Sequence, residues 1–281
     1  MRLPKITLIL ASLIILVYII LSQSLLYIPT SIILQLGFDS YNPWGLILYT
    51  FLHVSPNHIF GNLLLLLFIG TIAEQKLSNK DMLIIYFASS LAAAITFTIL
   101  TPNTVLVGAS AAISGLIAAA IVVDVKKTVL AIVSFSVIVF IIGPPLLAYS
   151  QSQLDLLTAQ TNDLFQKYND TTQQLVIAQQ QNDTAAIENL SQQLNDTYYE
   201  LNASTTVQNN IQEGVDREKS SKTSSLAHIV GALVGFIYMW RIRPDLLWAM
   251  PYQIIPKRYL ARARHEPKKT SLKRALTRRR R

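Results

Sequence analysis

DMLIIYFASSLAAAITFTILTPNTVLVGASAAISGLIAAAIVVD, residues 81–124, has no formal charge between its two terminal aspartates. A helix crossing the hydrocarbon core of a bilayer needs roughly 20 apolar residues, so this stretch is long enough for two. Thr101-Pro102-Asn103-Thr104 interrupts it near the middle and leaves 82–100 and 107–123 as separate helices. Working outward, similar charge-free gaps run from Lys5 to Asp39, from Asp39 to Glu74, from Lys127 to Asp155 and from Lys222 to Arg241. The reading is an all-α membrane protein with six spans, at about 8–28, 58–73, 82–100, 110–123, 128–149 and 224–240. Composition agrees: 51% of the 281 residues are hydrophobic, 14% are charged and the mean hydropathy is +0.37. Soluble domains carry about 25% charged residues. The chain has no cysteine, which excludes disulfides, thiolate catalysis and Cys-ligated zinc.

The net charge of +8 is unevenly distributed. Residues 151–222 carry ten acidic and four basic side chains, whereas 256–281 carry twelve Lys/Arg and one Glu. The basic residues Arg2, Lys5, Lys76, Lys80, Lys126, Lys127, Arg241 and Arg243 and the C-terminal cluster all fall on one side of a six-span arrangement. The positive-inside rule makes that side cytoplasmic, with both termini inside and 29–57, 101–107 and 151–222 outside. The first apolar run is too long for a signal peptide, and Tyr27-Ile28-Pro29 is no small-residue cleavage site, so it reads as a retained helix. The basic tail follows a span and has few aromatics, which points to anionic lipid headgroups rather than nucleic acid.

Residues 151–222 are too long for a structureless loop to be the default. Leu154, Leu157, Thr161, Leu164, Tyr168, Leu175 and Ala178 recur at three- and four-residue spacing. Ile187, Leu190, Leu194, Thr197 and Leu201 do the same, with Tyr198 alongside. Two coiled-coil-like stretches separated near residues 179–184 predict an antiparallel helical hairpin, each arm about 25 residues and about 40 Å long. A flexible polar loop is the alternative, because several seam positions are Thr or Ala. The chain therefore divides into helices one to five (1–150), an extracytoplasmic hairpin inserted at 151–222, a sixth helix (223–243) and a basic tail (244–281). Five Asn-x-Ser/Thr triplets, beginning at Asn169, Asn182, Asn189, Asn195 and Asn202, fall in the hairpin and make it a candidate glycosylated stalk.

Polar side chains inside spans are costly, which makes them functional candidates. His58 and Asn62 are four apart and share a face of the second span, with His53 just ahead in the outer loop. Ser110 opens the fourth span among small residues, Gly108-Ala109-Ser110-Ala111-Ala112. His228 on the sixth lies one turn from a Gly231-x-x-x-Gly235 face of the kind that permits close helix packing. All lie near the outer ends of their spans. A serine and a histidine across two packed helices form a nucleophile and general base, and His58 and Asn62 can donate to a developing oxyanion. The same residues are equally compatible with helix capping and loop fixation. No metal or cofactor is expected, since there is no His-Glu-x-x-His pair and no carboxylate in the outer half of any span.

His53-x-x-x-x-His58-x-x-x-Asn62, Gly108-x-Ser110 and Ala227-His228-x-x-Gly231-x-x-x-Gly235, in this order and on these spans, resemble the rhomboid family of intramembrane serine proteases. The resemblance covers the six spans but not the hairpin or the tail. It implies a six-helix rhomboid-like bundle that cleaves membrane-anchored substrates in or beside their transmembrane segments. Ser110 would be the nucleophile, His228 the base and acid, and His58, Asn62 and the Ser110 N–H the oxyanion hole. Trp44 matches a tryptophan of the family's outer loop, and Glu74 a structural acid at the inner end of the second helix. Ala111 stands where the family commonly has Gly, Ser114 where an aromatic ring usually stacks on the catalytic histidine, and Gly45 where an Arg often follows the tryptophan. The rival implied by the same resemblance is a catalytically inactive relative that binds transmembrane segments.

Overall fold

Six of the fourteen residues of the helix Ser110–Val123 are Ala or Gly, so neighbouring backbones can approach it closely. Ten of the fourteen are buried. At about 21 Å it is shorter than the roughly 30 Å hydrocarbon layer, as suits a helix enclosed by others. The computed structural model describes residues 3–23, 25–39, 42–101, 104–220 and 225–254, and every named element among them is a helix. In chain order these are α1 (Lys5–Leu21), α2 (Thr30–Leu36), α3 (Gly45–Leu48), a 3-10 turn (Tyr49–Phe51), α4 (Pro56–Ala73), α5 (Asn79–Leu100), α6 (Ser110–Val123), α7 (Val125–Gln181), α8 (Thr184–Ser220), α9 (Ser225–Ile242) and α10 (Pro244–Ile254). α6 packs against α4, α5 and α9. Among the described residues α4, α5, α7 and α9 are long and apolar enough to cross a membrane, while α1 and α6 are apolar but shorter.

Helix starts follow local chemistry. Ser55 caps α4 by accepting from the His58 N–H, with Pro56 in the first turn where its missing donor costs nothing. Ser78 and Asp81 form a capping box on α5. α1 begins at Pro4, which has no capping side chain, and its first turn is served from a distance. The buried carboxylate of Glu74, the C-cap of α4, accepts from the N–H groups of Ile6 (3.0 Å) and Thr7 (3.1 Å) and from the Thr7 hydroxyl (2.9 Å). An anion at a helix N-terminus also complements the macrodipole. α10 folds back under the bundle, where Gln253 accepts from the Val125 N–H (3.0 Å) and donates to the Val122 carbonyl (3.3 Å), splinting the break between α6 and α7.

Two expected boundaries move. The first span, expected over 8–28, ends at Leu21. The apolar run continues through Leu26, Tyr27 and Ile28, but those residues are buried in a loop that turns through Leu25, which has a positive φ of 56°. Hydropathy registers their burial and cannot tell a buried loop from a helix. The fifth span does not stop at 149 either, because α7 runs unbroken through it to Gln181, past Pro144 and Pro145. The helical hairpin is present with longer arms than expected, and α8 alone has 37 residues, about 55 Å.

Its arms run antiparallel. Thr158 meets Gln208, Thr161 meets Ser204, and the rings of Tyr168 and Tyr198 lie 6.4 Å apart. Leu154, Thr161, Ala178 and Thr197 are buried along the seam, and Thr171 joins them. The turn falls at Asn182-Asp183, within the expected separation. At its base the hairpin seats the Tyr27 ring against Gly214, in a cluster with Leu26, Leu154, Ile211 and Val215. Thr30 bonds Glu213, and Asn210 donates to Gln23 (3.2 Å). Pro102 and Asn103 of the expected break, residues 221–224 and the basic tail over 256–281 lie outside the described residues.

Candidate active site at the ends of α4, α6 and α9

Three helix ends converge. His58 is the third residue of α4 and Asn62 lies one turn further on, Ser110 is the first residue of α6, and His228 is the fourth of α9. His228, Gly231 and Gly235 share the face of α9 that meets α6. A Cβ built on Gly231 would overlap the Ala111 carbonyl oxygen, and one on Gly235 would overlap that of Gly115. These overlaps mean that the two backbones are in contact along a full turn, immediately below Ser110 and His228. Ala111 and Ala227, the neighbours of those two residues, share one buried cluster with Ala93. Ser110 and His228 are both half-buried. Among the described residues neither the Ser110 hydroxyl nor the His228 ring makes a hydrogen bond. Catalytic contacts are often long in the absence of substrate and tighten when it binds.

The α4 side is built more tightly. The His58 ring lies against Gly108, where a Cβ would come within 2.6 Å of Nε2. Gly108 has φ +103°, so its lack of a side chain serves both the backbone and the ring. His58 Nδ1 accepts from the Val54 N–H (3.4 Å), which leaves the proton of the neutral ring on Nε2, the atom facing Gly108. Asn62 is buried and donates one amide hydrogen to the His58 carbonyl (2.9 Å), leaving the other. Ser110 opens α6, so its N–H is among those without an intrahelical acceptor.

His53 is fully buried in the loop ahead of α4, its ring 4.9 Å from that of His58. Its Nδ1 donates to the Phe51 carbonyl (3.2 Å), so Nε2 is free to accept from the Ala109 N–H (3.4 Å). This pins the backbone one residue before Ser110. Burial, then the neighbouring His58, holds the His53 pKa well below the ordinary histidine value of 6.5. The ring is therefore neutral in the conditions where it accepts.

Trp44 and Glu74 stand apart from this cluster. Trp44, at the start of α3, is 84% exposed, and Glu74 lies about three turns below Asn62, serving α1. Ser114, where an aromatic ring was the expectation of the family pattern, donates to the Ser110 carbonyl (2.9 Å). Sequence reasoning missed three contributors. Ser55 was findable, because Ser-Pro before an apolar run marks a helix start. Ala109, which binds His53 through its backbone, and Tyr49, whose carbonyl accepts the Gly108 N–H (2.8 Å), carry no signal of their role.

Residues 40–155 match the family model described as the Rhomboid domain. No curated protein and no solved structure matches the chain. The matched stretch contains His53, His58, Asn62, Glu74, Gly108 and Ser110, whereas His228 and its two glycines lie beyond it on α9. With several apolar helices of membrane-crossing length beside it, the chain is a multi-pass membrane protein that carries a Rhomboid domain over residues 40–155.

Proposed function

We propose that this protein is an intramembrane serine protease that hydrolyses a peptide bond in or beside the transmembrane segment of a membrane-anchored substrate, with Ser110 and His228 as its dyad. The observation that supports it best is the backbone contact of Gly231 and Gly235 on α9, the helix that carries His228 one turn earlier, with α6, the helix that opens on Ser110. The Ser110 hydroxyl oxygen attacks the scissile carbonyl carbon while His228 takes its proton. The oxyanion is met by the Ser110 N–H, the His58 Nε2–H and the second amide hydrogen of Asn62. His228 returns the proton to the departing amine as the C–N bond breaks. Water then releases the acyl group by the same steps.

In this reading α1 and α6 complete a bundle of six spans, with α6 enclosed by its neighbours. Both termini and the basic residues at the inner helix ends face the cytoplasm, and the α7–α8 hairpin stands outside. The basic tail is drawn to anionic headgroups at about 1 kcal/mol per residue near the surface. The exposed apolar side chains of α7, among them Val129, Val133, Val137 and Phe140, suit contact with lipid or with a substrate helix.

The test uses full-length protein in lipid nanodiscs. A fluorophosphonate probe should form an adduct mapped by mass spectrometry to Ser110, and Ser110→Ala should lose both the adduct and cleavage of single-span substrates while keeping its thermal transition. Unlabelled Ser110 in folded wild-type protein would leave binding of membrane segments as the function.

A further inference from the structure

The five Asn-x-Ser/Thr triplets of the hairpin are equivalent in sequence and unequal in structure. Four of them lie wholly inside helices: Asn169-Asp-Thr171 in α7, and Asn189-Leu-Ser191, Asn195-Asp-Thr197 and Asn202-Ala-Ser204 in α8. Residues i and i+2 of an α-helix point about 200° apart, so the asparagine amide and the hydroxyl two residues on face opposite sides. One enzyme active site cannot engage both without unwinding the helix. Three of the four hydroxyls are also committed. Thr171 and Thr197 are buried in the seam, Thr171 donates to the Lys167 carbonyl (2.8 Å), and Ser204 shares a hydrogen bond with Thr161 (2.6 Å).

Asn182-Asp-Thr184 is built differently. Asn182 ends α7 in the left-handed conformation, with φ 53°. Thr184 opens α8, and the triplet lies across the bend rather than along a helix. All three residues are exposed, at the end of the hairpin furthest from the bundle. The bend is closed by the Asp183 N–H on the Ala178 carbonyl (3.1 Å), and the Asp183 carboxylate accepts from the Ala186 N–H (3.0 Å). Neither the Asn182 side-chain amide nor the Thr184 hydroxyl is taken by a described residue.

We propose that Asn182, at the tip of the hairpin, is the N-glycan attachment site that the folded protein presents, and that the four helical triplets are not used. The donor is a polyisoprenyl-pyrophosphate-linked oligosaccharide. Asn182 Nδ2 forms a bond to the anomeric carbon as the bond from that carbon to the pyrophosphate oxygen breaks. Nδ2 loses one proton to a base of the transferase, and the polyisoprenyl pyrophosphate leaves. The proposal rests on the outward orientation of the hairpin inferred above, and is independent of the proteolytic reading.

The experiment uses full-length protein purified from membranes of its source organism. Glycopeptide mass spectrometry should place a glycan on Asn182, Asn182→Gln should remove the mass increment, and simultaneous Asn→Gln replacement at 169, 189, 195 and 202 should retain it. An unmodified Asn182, with or without glycan elsewhere, overturns the proposal. Because the chain has no cysteine, Gln180→Cys can be probed with an impermeant maleimide on intact cells. Labelling without a glycan refutes the site alone, and protection from the reagent refutes the orientation together with the site.

Discussion

Gly231→Ala tests the contact on which the proposed dyad depends. The added Cβ would overlap the Ala111 carbonyl oxygen and lie 3.0 Å from its carbon and 3.4 Å from Cα, whereas real Cβ atoms essentially never come under 3.0 Å. The obstructing atoms are backbone and cannot rotate away, so α9 must move off α6 by roughly 1 Å, and misplacement of that order costs about 100-fold in rate. Overpacking of this kind costs about 1–3 kcal/mol of stability, partly offset by the better helix propensity of Ala. The assay pairs thermal unfolding in nanodiscs with kcat/KM on a single-span substrate. Gly61→Ala is the control: it is also a helical glycine, it sits between His58 and Asn62, and its Cβ would meet nothing within 4 Å. Gly231→Ala should lose about two orders of magnitude in cleavage with a modest loss of stability, and Gly61→Ala should lose neither. A Gly231→Ala protein that cleaves at the wild-type rate would show that the α6–α9 spacing does not position the reacting groups.

Gly108→Ala should displace His58, since it puts a Cβ within 2.6 Å of Nε2 at a φ of +103°; a loss of about 1–3 kcal/mol in unfolding measurements is expected, and an unchanged transition would contradict it. Glu74→Ala strips the first turn of α1 of its only acceptor from α4 and should cost about 1–3 kcal/mol, while Glu74→Gln, which keeps one carbonyl oxygen, should cost less. His53 has a folded pKa below its unfolded value of about 6.5, so below that pH the unfolded chain takes up a proton that the folded chain does not. Stability is then fully present above about pH 6.5 and falls by up to about 1.4 kcal/mol per pH unit beneath it. His53→Gln should flatten the fall in melting temperature between pH 7 and pH 5, and an unaltered slope would assign the acid sensitivity elsewhere.

What the sequence discloses here is periodicity and contrast. Charge-free gaps mark the apolar helices because a formal charge in the bilayer is costly, and a serine, two histidines and an asparagine stand out against so apolar a background. The three- and four-residue spacing of Leu154, Thr161 and Ala178 predicts a hairpin because that spacing is the geometry of a helix face. The end of α1 is hidden for the converse reason: Leu26, Tyr27 and Ile28 are as apolar as a helix interior but are buried in a loop, the first two by a hairpin base almost two hundred residues away and Ile28 by the main core. The partners of Glu74 and of His53 are hidden too, since both bind backbone N–H groups, which every residue offers.

That use of backbone partners bears on how the site is held. His53 grips the Ala109 N–H, Tyr49 the Gly108 N–H, and Gly231 rests on the Ala111 carbonyl, so three separate elements fix residues 108, 109 and 111, on either side of Ser110, through main-chain atoms. The position of Ser110 is thereby set by geometry that its own side chain does not enter. A hydroxyl replaced at 110 leaves every one of these contacts in place, which is why loss of the Ser110 oxygen and loss of the fold are separable perturbations, whereas a methyl group added at Gly108 or Gly231 acts on both. The Ala111 methyl fits the same scheme: its carbonyl lies against Gly231, while its side chain packs into the cluster with Ala93 of α5 and Ala227 of α9. An alanine at this position therefore leaves the close approach of the two helices intact.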